Sequence, residues 1–258
     1  MPQTHAISHT KAARALMIDA IRDHGPVTLA SSMGAEDMVL VDLIATNDLG
    51  IDVFVLDTGR LHTETLALVQ QARARYGIDF KMYVPDTEQL QTYLASHGPD
   101  GIFNSIDTRK TCCAIRKVEP LGRALKGYGA WITGMRRDQS VTRLGVPDSE
   151  WDEPNGLHKY NPLANWSSED VWAYIDQHKV PHNPLHKQGY PSIGCAPCTR
   201  AINEGEDDRA GCRQRTPCPP QMQSARVAVT NGFLTLASGV DLVERQGEEV
   251  VGVGVAGI

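Results

Sequence analysis

Six cysteines mark the places where this chain could do chemistry. Cys112 and Cys113 stand side by side in "TRKTCCAIRKVEP", Cys195 and Cys198 form a C-x-x-C in "SIGCAPCTRAI", and Cys212 and Cys218 follow in "RAGCRQRTPCPPQMQ". By itself a C-x-x-C is a redox dithiol, half of a zinc site or a pair of cluster ligands. The tandem pair raises the number of candidate thiolate ligands to four, more than a redox dithiol requires. Adjacent cysteines suit structural zinc poorly, because spacers of two to four residues normally let two thiolates converge on one small tetrahedral ion. A cuboidal [4Fe-4S] cluster offers separate irons to separate sulfurs, so neighbouring residues can each reach a corner. That cluster is the leading reading, with zinc and unligated thiols as the alternatives. Arg109, Lys110, Arg116 and Lys117 flank the tandem pair. They either offset the negative charge of a four-thiolate cluster or form the solvated face of an amphipathic helix.

Three other stretches combine small, polar and cationic residues. "SSMGAED", with Ser31, Ser32, Gly34, Ala35 and Glu36, lies between an apolar run and a helix-like segment. There, free backbone N–H groups and the helix dipole attract an anion. The competing reading is a tight turn capped by serine. The stretch lacks the Gly-Lys-Ser/Thr of a Walker A loop and looks more like the modified phosphate loop of adenylate-binding enzymes. "LDTGRLHTET" carries Thr58, Gly59 and Arg60, and "TGMRRDQSVTR" carries Arg136, Arg137 and Arg143. An Asp-capped turn explains the first equally well and a solvated turn the second. Arginine forks suit phosphate and sulfate groups, and in a chain of net charge -6 any bound anion must be met by local cations.

The elements that must position these residues alternate. A helix over Thr10–His24 stops at Gly25-Pro26; the run Val27–Ala30 reads as a strand, and "AEDMVLVDLIATN" as a helix. "IDVFVLDTG" (strand), "HTETLALVQQARARYG" (helix closed by Gly77), "DFKMYVP" (strand), "EQLQTYLASHG" (helix) and "AWITGMRRDQS" (strand with a charged turn) continue the pattern. Such alternation predicts an α/β fold with a parallel sheet, whose ligands gather at the carboxyl ends of the strands. "PDSEWDEPNGLHKYNPLANW" reads as an ordered but irregular segment, and "SSEDVWAYIDQHK" as a helix capped by Ser167 or Ser168. Beyond Cys212 periodicity is weak, so the expected division is an α/β domain with the cluster site over 1–211 and a poorly ordered, at most partly strand-like tail over 212–258.

The chain has 258 residues and is 41% hydrophobic, enough to fold by burial without disulfides. Its acidic balance argues against a non-specific nucleic-acid partner. No secretory signal and no run of eighteen apolar residues is evident, which predicts a cytoplasmic protein without a membrane partner. In that reducing compartment the cysteines point to metal ligation or redox chemistry.

The motifs "SSMGAEDMVLVDLI", "LDTGRLHTET", "TRKTCCAIRKVEPL", "WITGMRRDQS", "NPLANWSSEDVWAYI" and "HNPLHKQGYPSIGCAPCTRAI", in this order, resemble the assimilatory sulfonucleotide reductases, in particular their iron–sulfur adenylyl-sulfate (APS) branch. The resemblance implies an adenine-nucleotide-hydrolase-like parallel sheet with helices on both faces and a modified phosphate loop. It implies substrate contacts from Ser31, Ser32, Gly34, Ala35, Glu36, Thr58, Gly59, Arg60, Lys117, Arg136, Arg137 and Arg209. It implies a [4Fe-4S] cluster on Cys112, Cys113, Cys195 and Cys198, a pattern that marks family members preferring APS over its 3'-phosphorylated relative, PAPS. The implied activity is reduction of APS to sulfite and AMP with thioredoxin as reductant, in sulfate assimilation toward cysteine. In that family a cysteine in a C-terminal Glu-Cys-Gly-Leu-His motif attacks the sulfate sulfur and expels AMP, and thioredoxin then releases sulfite from the S-sulfocysteine.

The resemblance stops after Gly211. Cys212 stands where a further arginine is expected, the tryptophans that should follow are absent, and the sequence contains no Glu-Cys-Gly-Leu-His. A changed reading frame near Cys212 is the leading explanation. A second is that Cys218 or Cys212 replaces the nucleophile; Arg213 and Arg215 would lower the pKa of Cys218, but its flanking prolines restrict it. A third is a cluster-bearing adenylate binder without turnover, and PAPS reduction is the alternative activity. The nucleophile and the oligomeric state are left unassigned by these residues.

Overall fold

A computed structural model describes residues 8–139, 143–203, 205–206 and 210–211, and the backbone of residues 2–7, 228–230 and 233–235. The chain divides into two units, Met1–Cys218 and Pro219–Ile258. In the first, six strands form one sheet: β1 Val27–Ser31, β2 Asp52–Leu56, β3 Phe80–Tyr83, β4 Ala130–Ile132, β5 Ser149–Asp152 and β6 Leu157–Tyr160. Their order is β3-β2-β1-β4-β6-β5, parallel throughout except for the antiparallel edge strand β5. In the second unit the described backbone is an antiparallel pair, β7 Ala228–Thr230 and β8 Phe233–Thr235. Arg209, Cys212 and Cys218 lie outside the described residues, as does most of 212–258.

Side-chain alternation along the strands explains the layers. Leu29, Val53, Val55 and Ile132 point into a core shared with α1 (Pro2–His24), α2 (Ala35–Thr46), α3 (Thr63–Tyr76) and α7 (Ser168–His178). Ala30, Phe54, Leu56 and Trp131, one position on, face Leu121, Ala124 and Leu125 of α6 (Glu119–Leu125). A strand with helices over both faces must be apolar on both sides, as "DVFVL" is. Among the described residues the other α-helices are α4 (Thr87–His97) and α5 (Ile106–Cys113).

Local chemistry sets the ends. Gly77 closes α3 in the left-handed conformation, φ 67°. Ser167, not Ser168, caps α7: its side chain accepts from the Asp170 N–H while the Asp170 carboxylate accepts from the Ser167 N–H. The first helix begins well before Thr10, and the strand expected in "AWITGMRRDQS" ends at Ile132. The segment after Val146 is not irregular: it contains the β5–β6 hairpin, and β6 extends the sheet beside β4. On β6 the inward residues are Leu157 and Tyr160, whereas β5 is a four-residue edge strand with Trp151 exposed, so no apolar run announces either.

A buried carboxylate on α2 ties α3 and α7 to that helix. Asp42 of α2 accepts hydrogen bonds from Tyr76 of α3 (2.9 Å) and Tyr174 of α7 (2.8 Å). Both phenols are pushed up in pKa, first by burial and then by the Asp42 bond, and so serve as firm neutral donors. Two hydroxyls thereby satisfy a charge that would otherwise be costly to bury.

Candidate functional site

A cavity of about 840 Å³ opens at the carboxyl ends of β1 and β4. Ser32, Gly34, Ala35, Glu36 and Asp37 line it from the turn into α2, and Gly134, Arg136, Gln139 and Arg143 line it from the segment after β4. α7 contributes Ser168, Val171, Trp172 and Asp176, and the chain beyond it supplies His182, His186 and Lys187. This last wall is not among the contacts expected from the sequence. Its signal was the "HNPLHKQGY" stretch, whose polar residues have no helical or strand period.

The turn differs in detail from a serine-capped one. Gly34 is the N-cap of α2, and no side chain caps it. Ser31 points inward, its hydroxyl accepting from the Met33 N–H at 3.1 Å. Met33 adopts φ 62°, a left-handed conformation uncommon outside glycine, and is itself buried. Ser32 donates both its N–H and its hydroxyl to Asp37 Oδ2, each at 2.6 Å. In this arrangement those two donors hold the turn onto α2, and the backbone of Gly34 and Ala35 with Glu36 faces the cavity.

The arginines after β4 separate. Arg136 is buried and donates through Nε to Glu36 Oε1 (2.9 Å), tying β4 to the turn; Gln139 donates to the same oxygen, also at 2.9 Å. Arg143 lines the cavity beside Gln139, to which it donates. Arg137 turns to Asn165 and Asp148, 3.0 Å from the latter, and is not part of the cavity lining.

Burial pushes the Asp37 carboxyl up to about 6, against the Ser32 hydrogen bonds that favour its ionised form; the Glu36 charge pushes the same way as burial. The folded-state value exceeds the unfolded one, so this group's stabilisation is complete below about pH 4 and is lost as pH rises through about 6. The loss is about 3 kcal/mol over that window. Urea unfolding of the nucleotide-free protein across it is expected to show Asp37→Asn losing less stability with rising pH than the wild type; parallel profiles would refute this.

A second, smaller cavity lies at the carboxyl end of β2. All four cysteines, Cys112, Cys113, Cys195 and Cys198, line it, with Arg60, Arg109, Arg116 and Lys117. The tandem pair ends α5, and a π-helical turn over Ala114–Val118 carries the chain into α6. Such widened turns are frequent at functional sites. Arg109 and Arg116 are buried rather than on a solvated helix face, while Lys110 is exposed. The C-x-x-C loop is fastened to the end of β2: Leu61 bridges Cys195, the Ala196 N–H donates to the Arg60 carbonyl (2.8 Å), and Thr58 Oγ1 lies 3.2 Å from Cys195 Sγ. Arg116 donates to the Thr58 carbonyl at 2.5 Å and packs 3.4 Å from where a Cβ on Gly59 would stand. Arg60 lines the cavity while its guanidinium donates to the Pro99 carbonyl at 2.7 Å. Thr58, Gly59, Arg60 and Lys117 therefore group with the cysteines rather than with the turn into α2.

Burial pushes the Cys198 thiol up to about 11, and the neighbouring Cys195, Cys113 and Cys112 push it further in the same direction. Among the described residues no three His, Cys, Asp or Glu side chains converge closely enough to hold a single metal ion. What the cysteines do share is the wall of one cavity. Four soft sulfur donors around a space, compensating cations, and a buried Arg116 Nε without a hydrogen-bond partner make a donor set that fits an iron–sulfur centre.

The fold is the α/β nucleotide-binding fold, and its large cavity opens at the carboxyl ends of parallel strands, where ligands of such sheets gather. The profile of the phosphoadenosine phosphosulfate reductase domain matches residues 26–201, and the chain belongs to that family. It is 52% identical over 200 residues to an adenosine 5'-phosphosulfate reductase of Allochromatium vinosum, covering 78% of each chain. It is 49% identical over 211 residues to one of Burkholderia cepacia, covering 80% of this chain and 84% of the relative. Its fold is similar to a phosphoadenylyl-sulfate (PAPS) reductase from Candida auris in complex with phosphate, at TM-score 0.64 and 27% identity, covering 78% of this chain and 98% of that one. An FMN adenylyltransferase of Candida glabrata, 12% identical, superposes over 79% of this chain and 67% of its own with TM-score 0.55, a likeness of fold alone. No helix among the described residues is long and apolar enough to cross a membrane.

Proposed function

We propose that this protein reduces adenylyl sulfate to sulfite and AMP in sulfate assimilation toward cysteine, in the reducing cytoplasm. The observation that carries the reading is the meeting of Cys112–Cys113 with Cys195 and Cys198 at one cationic cavity, in a chain whose relatives are named as reductases of that substrate. Residues 1–211 hold these features and form the nucleotide-binding and cluster-binding domain of the proposal.

In this reading the large cavity takes the adenylate. Gly34 and Ala35 offer close backbone approach at the start of α2, and Arg136, held by Glu36, fixes the segment after β4 around the ligand. The four cysteines hold a [4Fe-4S] cluster, which when bound supplies a compact charge that sets the electrostatics beside the sulfate. Arg109, Arg116 and Lys117 compensate charge there and let an anion approach. The reaction itself is nucleophilic: a thiolate attacks the sulfate sulfur, the S–O bond to AMP breaks, and an S-sulfocysteine forms. A dithiol partner of the thioredoxin type then supplies two electrons: one of its thiolates attacks the cysteine sulfur and displaces sulfite, leaving a mixed disulfide, and its second thiolate displaces the protein's cysteine thiolate as the partner leaves as a disulfide.

The absence of Glu-Cys-Gly-Leu-His from the sequence favours a second reading, a cluster-bearing adenylate binder without turnover. One experiment separates the two. The protein is mixed with sulfur-labelled APS, then with reduced thioredoxin, and a parallel sample receives PAPS. Stoichiometric AMP and sulfite, with a sulfonated Cys218 or Cys212 by mass spectrometry, support the reductase; tight AMP binding without adduct or sulfite supports the binder; faster turnover of PAPS would overturn the choice of substrate.

A further inference from the structure

His186 is one of two buried side-chain polar groups in the lining of the large cavity that lack a hydrogen-bond partner among the described residues; the other is the Trp131 N–H. The two ring nitrogens of His186 are not equivalent. Nδ1 lies 2.8 Å from the Tyr190 carbonyl, which can only accept, so the proton of the neutral ring sits on Nδ1. Nε2 is left as a bare lone pair, buried and without a partner. The ring is packed in place: it stands edge-on to Trp172, centroids 5.2 Å apart, and Trp172 also stands edge-on to His182 at 5.4 Å. Burial lowers the pKa of His186 and keeps the ring neutral.

Nε2 has almost no solvent-accessible surface, so a partner reaches it only when the ring or its neighbours shift as the cavity fills; the neutral lone pair is then selective. It repels phosphate and sulfate oxygens, which are acceptors too, whereas Arg136, Arg143 and Lys187 in the same lining favour them. The groups of an adenylate that can donate to it are the exocyclic amine of the base and the ribose hydroxyls. We propose that His186 Nε2 accepts a hydrogen bond from the nucleoside part of the bound adenylate, and so sets which way round the nucleotide lies in the cavity. This rests on reading the large cavity as the adenylate site.

The test is calorimetric titration of the full chain with AMP, IMP, 2'-deoxy-AMP and 3'-deoxy-AMP, for wild type, His186→Phe and His186→Gln. His186→Phe is expected to bind AMP on the order of 10- to 100-fold more weakly, because a donor of the ligand is buried unpaired; His186→Gln, which restores an acceptor, recovers part of the loss. The analogue lacking the contacted donor should bind the wild type more weakly than AMP does, and bind His186→Phe about as well as AMP does. That coupling would not arise from a purely structural histidine. Equal AMP affinity in wild type and His186→Phe overturns the assignment, as does additivity for all three analogues. If the Phe variant does not fold, His186→Gln and the analogue series decide. Failure of the wild type to bind AMP at all would instead overturn the adenylate reading on which the inference stands.

Discussion

Cys195→Ala is expected to be isolated without iron and without the brown colour of the wild type, which should carry about four irons per chain. Cys195 is the buried member of the C-x-x-C and the point where that loop meets β2, through the bridge to Leu61 and the contact with Thr58. Its loss removes one of four donors and leaves an iron corner open to water. Three thiolates would have to hold the cluster in a cavity whose cations, Arg109 and Arg116, are already buried in place. APS reduction should vanish with the iron. AMP affinity should change less than about threefold, since Cys195 is not part of the large cavity's lining and sites without shared partners are nearly additive. Cys218→Ala, outside the set of four, is expected to keep its iron. Full iron in Cys195→Ala, or one zinc per chain and no iron in the wild type, would refute the cluster assignment.

That assignment draws on the part of the site most legible in the sequence. A tandem pair and a C-x-x-C are local patterns, and their meaning depends little on how the chain is routed between them. The pairing of the other stretches was not legible for a physical reason. "SSMGAED", "LDTGRLHTET" and "TGMRRDQSVTR" each follow a strand, but which ones share a cavity depends on strand order. With β1 between β2 and β4, the turn after β1 faces the segment after β4, while Thr58, Gly59 and Arg60 after β2 face the cysteines. Residue type likewise does not report orientation. Arg136 and Arg137 are neighbours, yet one is buried against Glu36 and the other turns out to Asp148. Ser31 and Ser32 look like a phosphate cradle, yet their hydroxyls are engaged with Met33 and Asp37.

The alternation of strands and helices was legible because apolar runs and glycine stops are local as well. β5 and β6 were not, because "SEWD" is a charged edge strand and "LHKY" has two inward residues, so their strand character comes from pairing rather than composition. The wall made by Trp172, His182 and His186 escaped for a related reason. Helical periodicity shows that α7 has a buried side, as Val171, Tyr174 and Ile175 are, but not which flank of that side borders a cavity.

Gly134→Ala is expected to weaken AMP binding on the order of 10- to 100-fold, the affinity equivalent of overpacking by about 1–3 kcal/mol at a site that must keep its shape. Gly134 needs no special backbone conformation; what it needs is space. A Cβ there would stand 2.4 Å from Asp37 Oδ1, 2.9 Å from Glu36 Cβ and 3.3 Å from the Asp37 nitrogen. Asp37 cannot swing aside without breaking both Ser32 hydrogen bonds to its other oxygen, and Glu36 cannot retreat without leaving Arg136 and Gln139. The added methyl therefore either drives the turn off the start of α2 or pushes β4 away from it, and either movement widens the cavity where the nucleotide's phosphate would lie. Removing the obstructing carboxylate should relieve part of the clash. In an Asp37→Ala background the further loss caused by Gly134→Ala is expected to shrink by about tenfold, while the 2.9 Å approach to Glu36 keeps the recovery partial. Calorimetric AMP titrations of the four proteins measure this coupling directly. Wild-type affinity in Gly134→Ala, with the fold intact, would mean that the close approach of β4 to the turn does not shape the adenylate site.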